Sequence, residues 1–551
     1  MTSNEAWFRQ PEDTMPVFRL GTIRLITNQN DKKIMTDIRI IKQAIICLLI
    51  LSGTSANAQL QSPASMERMK MQRLWLGSQN AAGMVFDENT RFSNLNFGYG
   101  LQDGNFHRPQ EGEKESTINV SSEGFMPLED AYVWGAFSFK QRNLTDAGYN
   151  ASITDPFRGM PYYVIDEHLS NWRNQYYDLR FRASTPLIND RWAIGMEGVY
   201  QASLAAKQRD PRVDTRYYNL RLAPGVTYQF NPSHRVGLSL SYESIKEDSE
   251  MENKNNELSQ TYYILYGLGN AVQGIGSGRT TNYYGDRFGV ALQYNFQTSV
   301  WNVLMEGNYD VRAENVEQSF TSPKKDAGVM DKRFGLSVIA NRQGEAYSQS
   351  LRASYTDRHI DGIQYVSQYD NTGSLSGWEV LDKSIRSTYD TQKANLNYAL
   401  LRNRGNEYTW KLEAGAEYEK QTDEYLLPNS VKSHENLLFT LEGKKNFIVG
   451  NKLNKRLLIG VHGAYRKNLS GEYKYGGSHP DYISVTKLET SDYQYLTSNY
   501  RLLGASLTYS QQVKESTQAN FFLKASFDRV NTSDFGFNQR NHFSVSAGCH
   551  Y

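Results

Sequence analysis

The sequence predicts an all-β protein, a transmembrane antiparallel β-barrel of about eighteen strands with short periplasmic turns and long extracellular loops. First, apolar and polar residues alternate along most of the chain after residue 91, as in strands with two differently solvated faces. Second, the alternating segments run for roughly 9 to 14 residues, long enough to cross a membrane at a tilt. Third, short links alternate with long polar ones, such as residues 313–330 and 358–384, which is the asymmetry between the two ends of an outer-membrane barrel.

The composition excludes several other classes of protein. The chain has 551 residues, with 60 Lys and Arg against 59 Asp and Glu, and only two Cys. A mean hydropathy of -0.62 excludes a polytopic helical membrane protein, which needs repeated apolar runs of about 20 residues. Balanced charge argues against a nucleic-acid partner, and two cysteines are too few for a disulfide scaffold. A closed barrel fits these averages because its polar lumen dilutes the apolar outer band.

The N-terminal region has the parts of a secretory signal peptide. An apolar run at residues 44–51 follows a basic flank and is too short to span a bilayer as a helix. Small residues then precede Gln59, so we expect cleavage between Ala58 and Gln59. We assign residues 35–58 to the signal peptide and residues 1–34 to a mis-assigned upstream extension. A buried core helix is the alternative for the apolar run.

Residues 59–90 predict a short helical segment ahead of the first strand. Ser62 and Pro63 are suited to be the N-cap and the first residue of a helix, and Gly77 can end it. We interpret this segment as a small hatch inside the barrel or as a periplasmic docking segment. The alternative is a short helix that packs under the barrel mouth and has no separate role.

Residues 91–551 form the barrel in this prediction. The alternation is clear in segments such as residues 236–242, where every second residue is apolar. It is weakest near Ile118, Leu336 and Leu351, so sixteen strands is the alternative to about eighteen. An even number of strands places both chain ends on the periplasmic side, where the short turns are expected.

The last segment of the chain alternates most regularly and ends in an aromatic residue. Its apolar and aromatic positions are Phe543, Val545, Ala547, Cys549 and Tyr551. This pattern resembles the C-terminal signal of bacterial outer-membrane β-barrel proteins, which the barrel-assembly machinery reads. The resemblance implies residence in the cell outer membrane, contact with outer-membrane lipid and contact with that machinery during biogenesis.

The whole mature chain, rich in Tyr and with long polar loops, is similar to the uncharacterised, porin-like outer-membrane barrels of Bacteroidota. This likeness names no activity. Separately, we expect a larger uptake complex as a partner of a transporting barrel. The chain departs from TonB-dependent receptors, which have twenty-two strands and a plug domain of well over a hundred residues. Here only about thirty residues of the mature chain precede the first strand.

The positions expected to face the lumen carry both signs of charge. The candidate lumen residues are Arg180, Arg182, Arg221, Arg287, Glu306, Arg352 and Glu413. A strongly selective ion pore would show one dominant sign. Mixed signs favour cross-strand ion pairs that stiffen the wall, or a constricted lumen for a polar neutral or zwitterionic solute.

A glycine-rich stretch lies within the long polar connection of residues 246–282. Its glycines are Gly267, Gly269, Gly274, Gly276 and Gly278. A phosphate-binding loop would need a Gly-Lys-Ser/Thr ending between a strand and a helix, and this stretch has neither. We therefore predict a flexible loop that folds inward and narrows the pore.

The sequence indicates no catalytic, cofactor-binding or metal site. Nine histidines are scattered along the chain, and no pair of them has metal-ligand spacing on one element. The prediction is a non-enzymatic channel, transporter or uptake-complex component for a polar solute, without a cofactor. A structural or adhesin-like barrel that presents its loops is the alternative, and an outer-membrane barrel hydrolase is the third possibility.

Overall fold

The computed structural model describes residues 62–87, 90–255, 257, 260–276, 278–318, 322–371, 376–450, 452–514 and 519–550. The proposed upstream extension, the signal peptide, the Ala58–Gln59 cleavage site and Tyr551 lie outside the described residues. In the described part of the chain, no helix is both long and apolar enough to cross a bilayer.

The described residues are mostly strands, numbered here in chain order. The first ten are β1 (Phe92–Asp103), β2 (Lys114–Pro127), β3 (Tyr132–Ala147), β4 (Val164–Ile165), β5 (Ser170–Ser184), β6 (Trp192–Lys207), β7 (Arg212–Asn231), β8 (His234–Glu252), β9 (Gln260–Gly267) and β10 (Asn270–Gly276). The others are β11 (Gly278–Gln297), β12 (Trp301–Gln318), β13 (Lys324–Gln343), β14 (Tyr347–Asp370), β15 (Gly377–Arg404), β16 (Glu407–Tyr425), β17 (Ser430–Gly450), β18 (Lys455–Lys474), β19 (Tyr500–Gln512), β20 (Asn520–Asn531) and β21 (Gln539–His550).

The helices are few and short. The α-helices are α1 (Pro63–Gln72) and α2 (Thr490–Thr497), and a π-helix (Ser484–Glu489) runs directly into α2. The 3-10 helices are Trp75–Gly77, Ala81–Phe86, Lys452–Asn454 and Asp534–Gly536.

Eighteen of the described strands form one closed antiparallel barrel. Each wall strand pairs with the next wall strand along the chain, and β1 also pairs with β21, which closes the sheet. The prediction of eighteen strands is confirmed, and the alternative of sixteen is wrong, because the weak segments at Ile118, Leu336 and Leu351 lie in β2, β13 and β14. The remaining strands, β4, β9 and β10, form a separate three-stranded sheet.

The wall strands are longer than the sequence predicts. Their lengths range from 12 residues in β1 to 28 in β15. Residues 313–330 and 358–384 were expected to be long loops, yet most of them continue β12 to β15. Beyond the bilayer both faces of a strand meet water, so the apolar alternation ends while the backbone pairing continues.

The outward face of the wall is an apolar band. Leu503 is 68% exposed, and Phe288 and Leu441 are each 64% exposed. Such a continuous exposed apolar surface is what a barrel needs to face hydrocarbon in a bilayer. On β21, Phe543 is also exposed, and Val545, Ala547 and Cys549 follow at alternate positions of the same strand. Their role as an assembly signal stays a prediction.

The two ends of the barrel differ. We call the edge where β1 begins and β21 ends the turn end, and the opposite edge the loop end. Links at the turn end are mostly short, such as residues 185–191, 232–233 and 298–300. Longer connections, such as residues 148–169, 253–277 and 475–499, stand at the loop end and contain β4, β9, β10 and α2.

Candidate functional site

Residues 62–87, which we call the inner segment, lie inside the barrel at the turn end. Ser62 is the N-cap of α1 and accepts a hydrogen bond from the Ser65 backbone, and Pro63 is the first helical residue. The helix ends at Gln72, before Gly77, because the backbone of Arg73 is extended, and Trp75, which is fully buried, begins a separate 3-10 turn.

One side of the inner segment is hydrogen-bonded to the wall formed by β7, β8, β11 and β12. The Asn80 side-chain amide donates to Val226 O at 3.1 Å, to Leu238 O at 3.2 Å and to Gln293 Oε1 at 3.0 Å. The Gln79 backbone N–H donates to Glu306 Oε2 at 2.9 Å, which places this candidate lumen residue against the segment.

The other side of the inner segment reaches the far wall. Glu67 Oε2 accepts from the Tyr408 hydroxyl of β16 at 2.9 Å, and Glu67 Oε1 lies 3.1 Å from Lys444 Nζ of β17. Lys70 forms an ion pair with Glu123 of β2. Because these partners stand on widely separated parts of the circumference, the inner segment extends across the lumen.

Asp87 makes the seating of the inner segment dependent on pH. Burial raises the pKa of Asp87 to about 7. Its carboxylate accepts hydrogen bonds from the backbone N–H groups of Trp75 and Leu76, and these hydrogen bonds oppose the shift. An unfolded Asp titrates near 4, so the seated segment favours the protonated form. The stability that this contributes is lost as the pH rises through about 7.

We therefore expect protease cleavage within residues 62–87 to increase by about ten-fold or more between about pH 5 and about pH 8, relative to an Asp87→Asn variant. The amide of the variant does not titrate, so the ratio of the two cleavage rates cancels the pH dependence of the protease. A constant ratio would contradict the expectation.

A cavity of about 380 Å³ lies between α1 and the inner face of β14 to β17. It is lined by Glu67, Lys70, Met71, Ser350, Arg352, Asn397, Ala399, Leu401, Lys411, Glu413 and Lys444. Two of the candidate lumen residues, Arg352 and Glu413, therefore share this cavity. Glu413 lies 2.6 Å from Lys411 Nζ on the same strand.

Four of the other candidate lumen residues, all arginines, belong to ion pairs elsewhere on the inner face. Arg182 and Arg221 both bind Glu197, at 3.1 and 3.2 Å. Arg180 Nε lies 2.7 Å from Asp178 Oδ1, and Arg287 Nε lies 3.5 Å from Asp310 Oδ1. The structure thus distributes the candidate lumen residues over several groups, and most of their charge is compensated locally.

At the loop end, one loop that the sequence did not single out enters the lumen. In this folded-in loop, residues 148–169, Arg158 lies 3.0 Å from Glu247 Oε2 and 2.6 Å from Glu314 Oε1, and both carboxylates are fully buried. Arg358 Nη2 also donates to Arg158 O at 2.9 Å. Burial disfavours the charged guanidinium, but Glu314 and Glu247 outweigh it and raise the pKa of Arg158.

The glycine-rich stretch forms a hairpin of β9 and β10 across the same end. Gly267 and Gly269 stand at its tip with φ of +112° and +81°, which favours glycine, and a Cβ at Gly267 would lie 2.4 Å from the Tyr389 hydroxyl of β15. Gly274 and Gly276 lie in β10, and Gly278 is the first residue of β11. Whether this hairpin narrows a pore stays a prediction.

The connection between β18 and β19, residues 475–499, also lies at the loop end, beside the folded-in loop and the hairpin of β9 and β10. Lys432 Nζ of β17 lies 2.5 Å from Glu489 and 3.1 Å from Asp492, and Arg108 Nε lies 2.6 Å from Asp492. Burial acts to raise the pKa of Asp492, but Arg108 and Lys432 outweigh it and lower this pKa. The Ser484 hydroxyl donates to Gly269 O at 2.7 Å, which joins this connection to the hairpin tip.

Two histidines meet on the inner face, although they are distant in sequence. His462 Nε2 lies 2.8 Å from Asp528 Oδ1, and His542 Nδ1 lies 3.2 Å from Asp528 Oδ2. In the described residues, neither ring makes a hydrogen bond to a serine hydroxyl, the contact that would activate a nucleophile. No group of three or more His, Cys, Asp or Glu within the described ranges is arranged to hold a metal ion.

A family model described as "Family of unknown function (DUF6850)" matches residues 81–551. The chain belongs to this family. The match covers residues 81–87 of the inner segment and the whole barrel. None of the curated proteins matches the chain.

Solved structures similar to this DUF6850 protein include bacterial receptors and transporters. The ferric preacinetobactin receptor BauA from Acinetobacter baumannii has 8% identity and a TM-score of 0.38, with 83% of this chain and 79% of that chain covered. The FrpB iron transporter from Neisseria meningitidis has 11% identity and a TM-score of 0.39, with 85% and 82% covered. The ferric yersiniabactin uptake receptor FyuA from Yersinia pestis has 10% identity and a TM-score of 0.39, with 84% and 80% covered. Sequence identities and TM-scores this low carry no information about the ligand.

Proposed function

We propose that this protein is a gated outer-membrane barrel that admits a small polar solute. In this proposal the loop end faces the cell exterior, the turn end faces the periplasm, and the inner segment is the hatch that must move. The observation that carries the proposal is the polar cavity of about 380 Å³ between α1 and the wall, inside a lumen that the inner segment crosses.

The contacts that seat the inner segment suit a part that moves. Many of them are hydrogen bonds and ion pairs. A hydrogen bond of the neutral Asn80 amide contributes about 0.5–1.5 kcal/mol net, and one to the charged Glu67 about 1.5–3 kcal/mol, because water can replace the partner. Displacement also requires moving buried groups such as Trp75, so the segment stays seated until work is done on it. A periplasmic partner within a larger uptake complex would supply that work.

A second candidate is a surface barrel whose loops bind a partner while the lumen stays closed. It is favoured by the loop end, where Arg158 is held between two buried carboxylates and Lys432 between Glu489 and Asp492. Buried ion pairs of this kind resist opening because separation leaves buried charges with less compensation.

Conductance in planar bilayers separates the two candidates. We expect the full chain to conduct little, deletion of residues 62–87 to give open channels, and combination with Arg158→Met to increase the conductance further, because the two changes release opposite ends. Each protein is first checked for a folded barrel by its heat-dependent mobility in gels. Folded variants that all remain silent would overturn gated passage and favour the surface barrel.

A further inference from the structure

We infer that the cavity beside α1 is a binding site for an oxyanion, either a carboxylate or a phosphate group, on the solute that the barrel admits. The inference rests on the proposed function for the solute's passage, but the binding site itself is argued from three side chains. They are Ser350 and Arg352, at successive inward positions of β14, and Asn397 of β15, which pairs with Arg352 across the two strands.

These three side chains have hydrogen-bond donors without a protein acceptor. The Ser350 hydroxyl is only 3% exposed and makes no hydrogen bond with a described residue. A buried polar group without a partner destabilises the folded protein, so a ligand that accepts a hydrogen bond from it is stabilised. Among the contacts of the described residues, Arg352 has no ion pair and the Asn397 amide has no hydrogen bond.

The remaining charges of the cavity are already compensated. Lys444 is paired with Glu67 at 3.1 Å, Lys411 is paired with Glu413 at 2.6 Å, and Lys70 is paired with Glu123 of β2. Glu442 lies 3.7 Å from Lys411 and 3.4 Å from Lys444, which adds to this compensation. Arg352 is therefore the cation of the cavity whose charge is not met by a carboxylate of the described chain.

The chemistry of these donors selects the ligand. A guanidinium presents two parallel N–H groups that match the two oxygens of a carboxylate or phosphate, and a hydroxyl and an amide beside it can complete the shell. Met71, Ala399 and Leu401 also line the cavity and offer an apolar surface to the rest of the molecule. A small organic anion with a short apolar part satisfies both features, whereas an organic cation would face Arg352.

Isothermal titration calorimetry on the full mature chain in lipid nanodiscs tests this site. The probes are hexanoate, hexylamine and inorganic phosphate, and the variants are Arg352→Gln and Ser350→Ala. We expect hexanoate or phosphate to bind and hexylamine not to bind, and we expect Arg352→Gln to weaken binding by about ten-fold or more, since a charge-assisted hydrogen bond contributes about 1.5–3 kcal/mol. Ser350→Ala should weaken it by less.

Lys524→Gln is the matched control, because it removes a positive charge from an inward position of β20, outside the cavity lining. Binding of hexanoate alone would identify a carboxylate site, and binding of phosphate alone a phosphate site. Equal binding of hexanoate and hexylamine, equal losses in Arg352→Gln and Lys524→Gln, or no binding of either anion would overturn the inference. Anion binding by a barrel that never conducts would uphold the site while contradicting the proposed passage.

Discussion

Replacing Arg158 with methionine is expected to destabilise the folded-in loop by about 3–5 kcal/mol. The substitution removes the guanidinium that lies between Glu247 and Glu314, both of which are fully buried. In the described residues, Glu247 then has no cation within ion-pair distance, and Glu314 keeps only Arg312, at 3.5 Å. A buried carboxylate that loses its main partner cannot recover its hydration, so the loop must leave the lumen or the two groups must take up protons. Leaving is the cheaper response, because the loop is a connection at the end of the barrel and the wall strands keep their pairing.

Limited proteolysis of residues 148–169 measures this effect, with the barrel wall as the internal standard. Arg216→Met is the control, since Arg216 and its partner Asp214 are both more than half exposed and such a pair is worth only about 0–1 kcal/mol. Adding Glu247→Gln and Glu314→Gln to Arg158→Met should restore part of the protection, because the uncompensated charges disappear. Equal cleavage of the Arg158 and Arg216 variants would show that the loop is held by its apolar contacts alone.

The wall of this barrel is predictable from sequence because its signal is local. The apolar residues at every second position of a segment, such as 236–242, face the same side of one strand. A short turn then determines which residues of the next strand they pair with. The pair of Arg182 and Glu197 follows from this logic, since β5 and β6 join by a short link that sets these residues opposite each other. The ends of the strands cannot be predicted in this way, because the alternation of apolar and polar residues stops where both faces of a strand contact water.

The contents of the lumen are not predictable in this way. Arg158 contacts Glu247 and Glu314, which follow it in the sequence by 89 and 156 residues. A polar loop has no periodic pattern that could predict such a contact. The proposed oxyanion site is an intermediate case. Alternation places Ser350 and Arg352 on one face of β14, but the lack of a protein partner and the closeness of α1 appear only once the barrel is closed around the inner segment.

Gly195→Val is expected to unseat the inner segment and open the turn end. Gly195 lies on the inward face of β6, where a Cβ would stand 2.3 Å from Ala82 N and 2.6 Å from Ala82 Cα. These are backbone atoms, so no side-chain rotation can make room, and either the strand or residues 81–86 must shift. The wall strand is held by neighbours on both sides, whereas the inner segment has only its contacts with the lumen face. The segment is therefore the part that moves.

Overpacking of this kind costs about 1–3 kcal/mol, which corresponds to a roughly 5- to 150-fold larger unseated population. Gly198→Val is the matched control on the same strand, because Gly198 faces outward and a Cβ there would meet only Leu222 Cδ2, at an ordinary 3.8 Å. The open probability in planar bilayers and protease cleavage within residues 62–87 should both rise in Gly195→Val and remain unchanged in Gly198→Val. If cleavage rises without conductance, the inner segment is displaced but the loop end still closes the lumen, and Arg158→Met in the same chain should then produce the missing current.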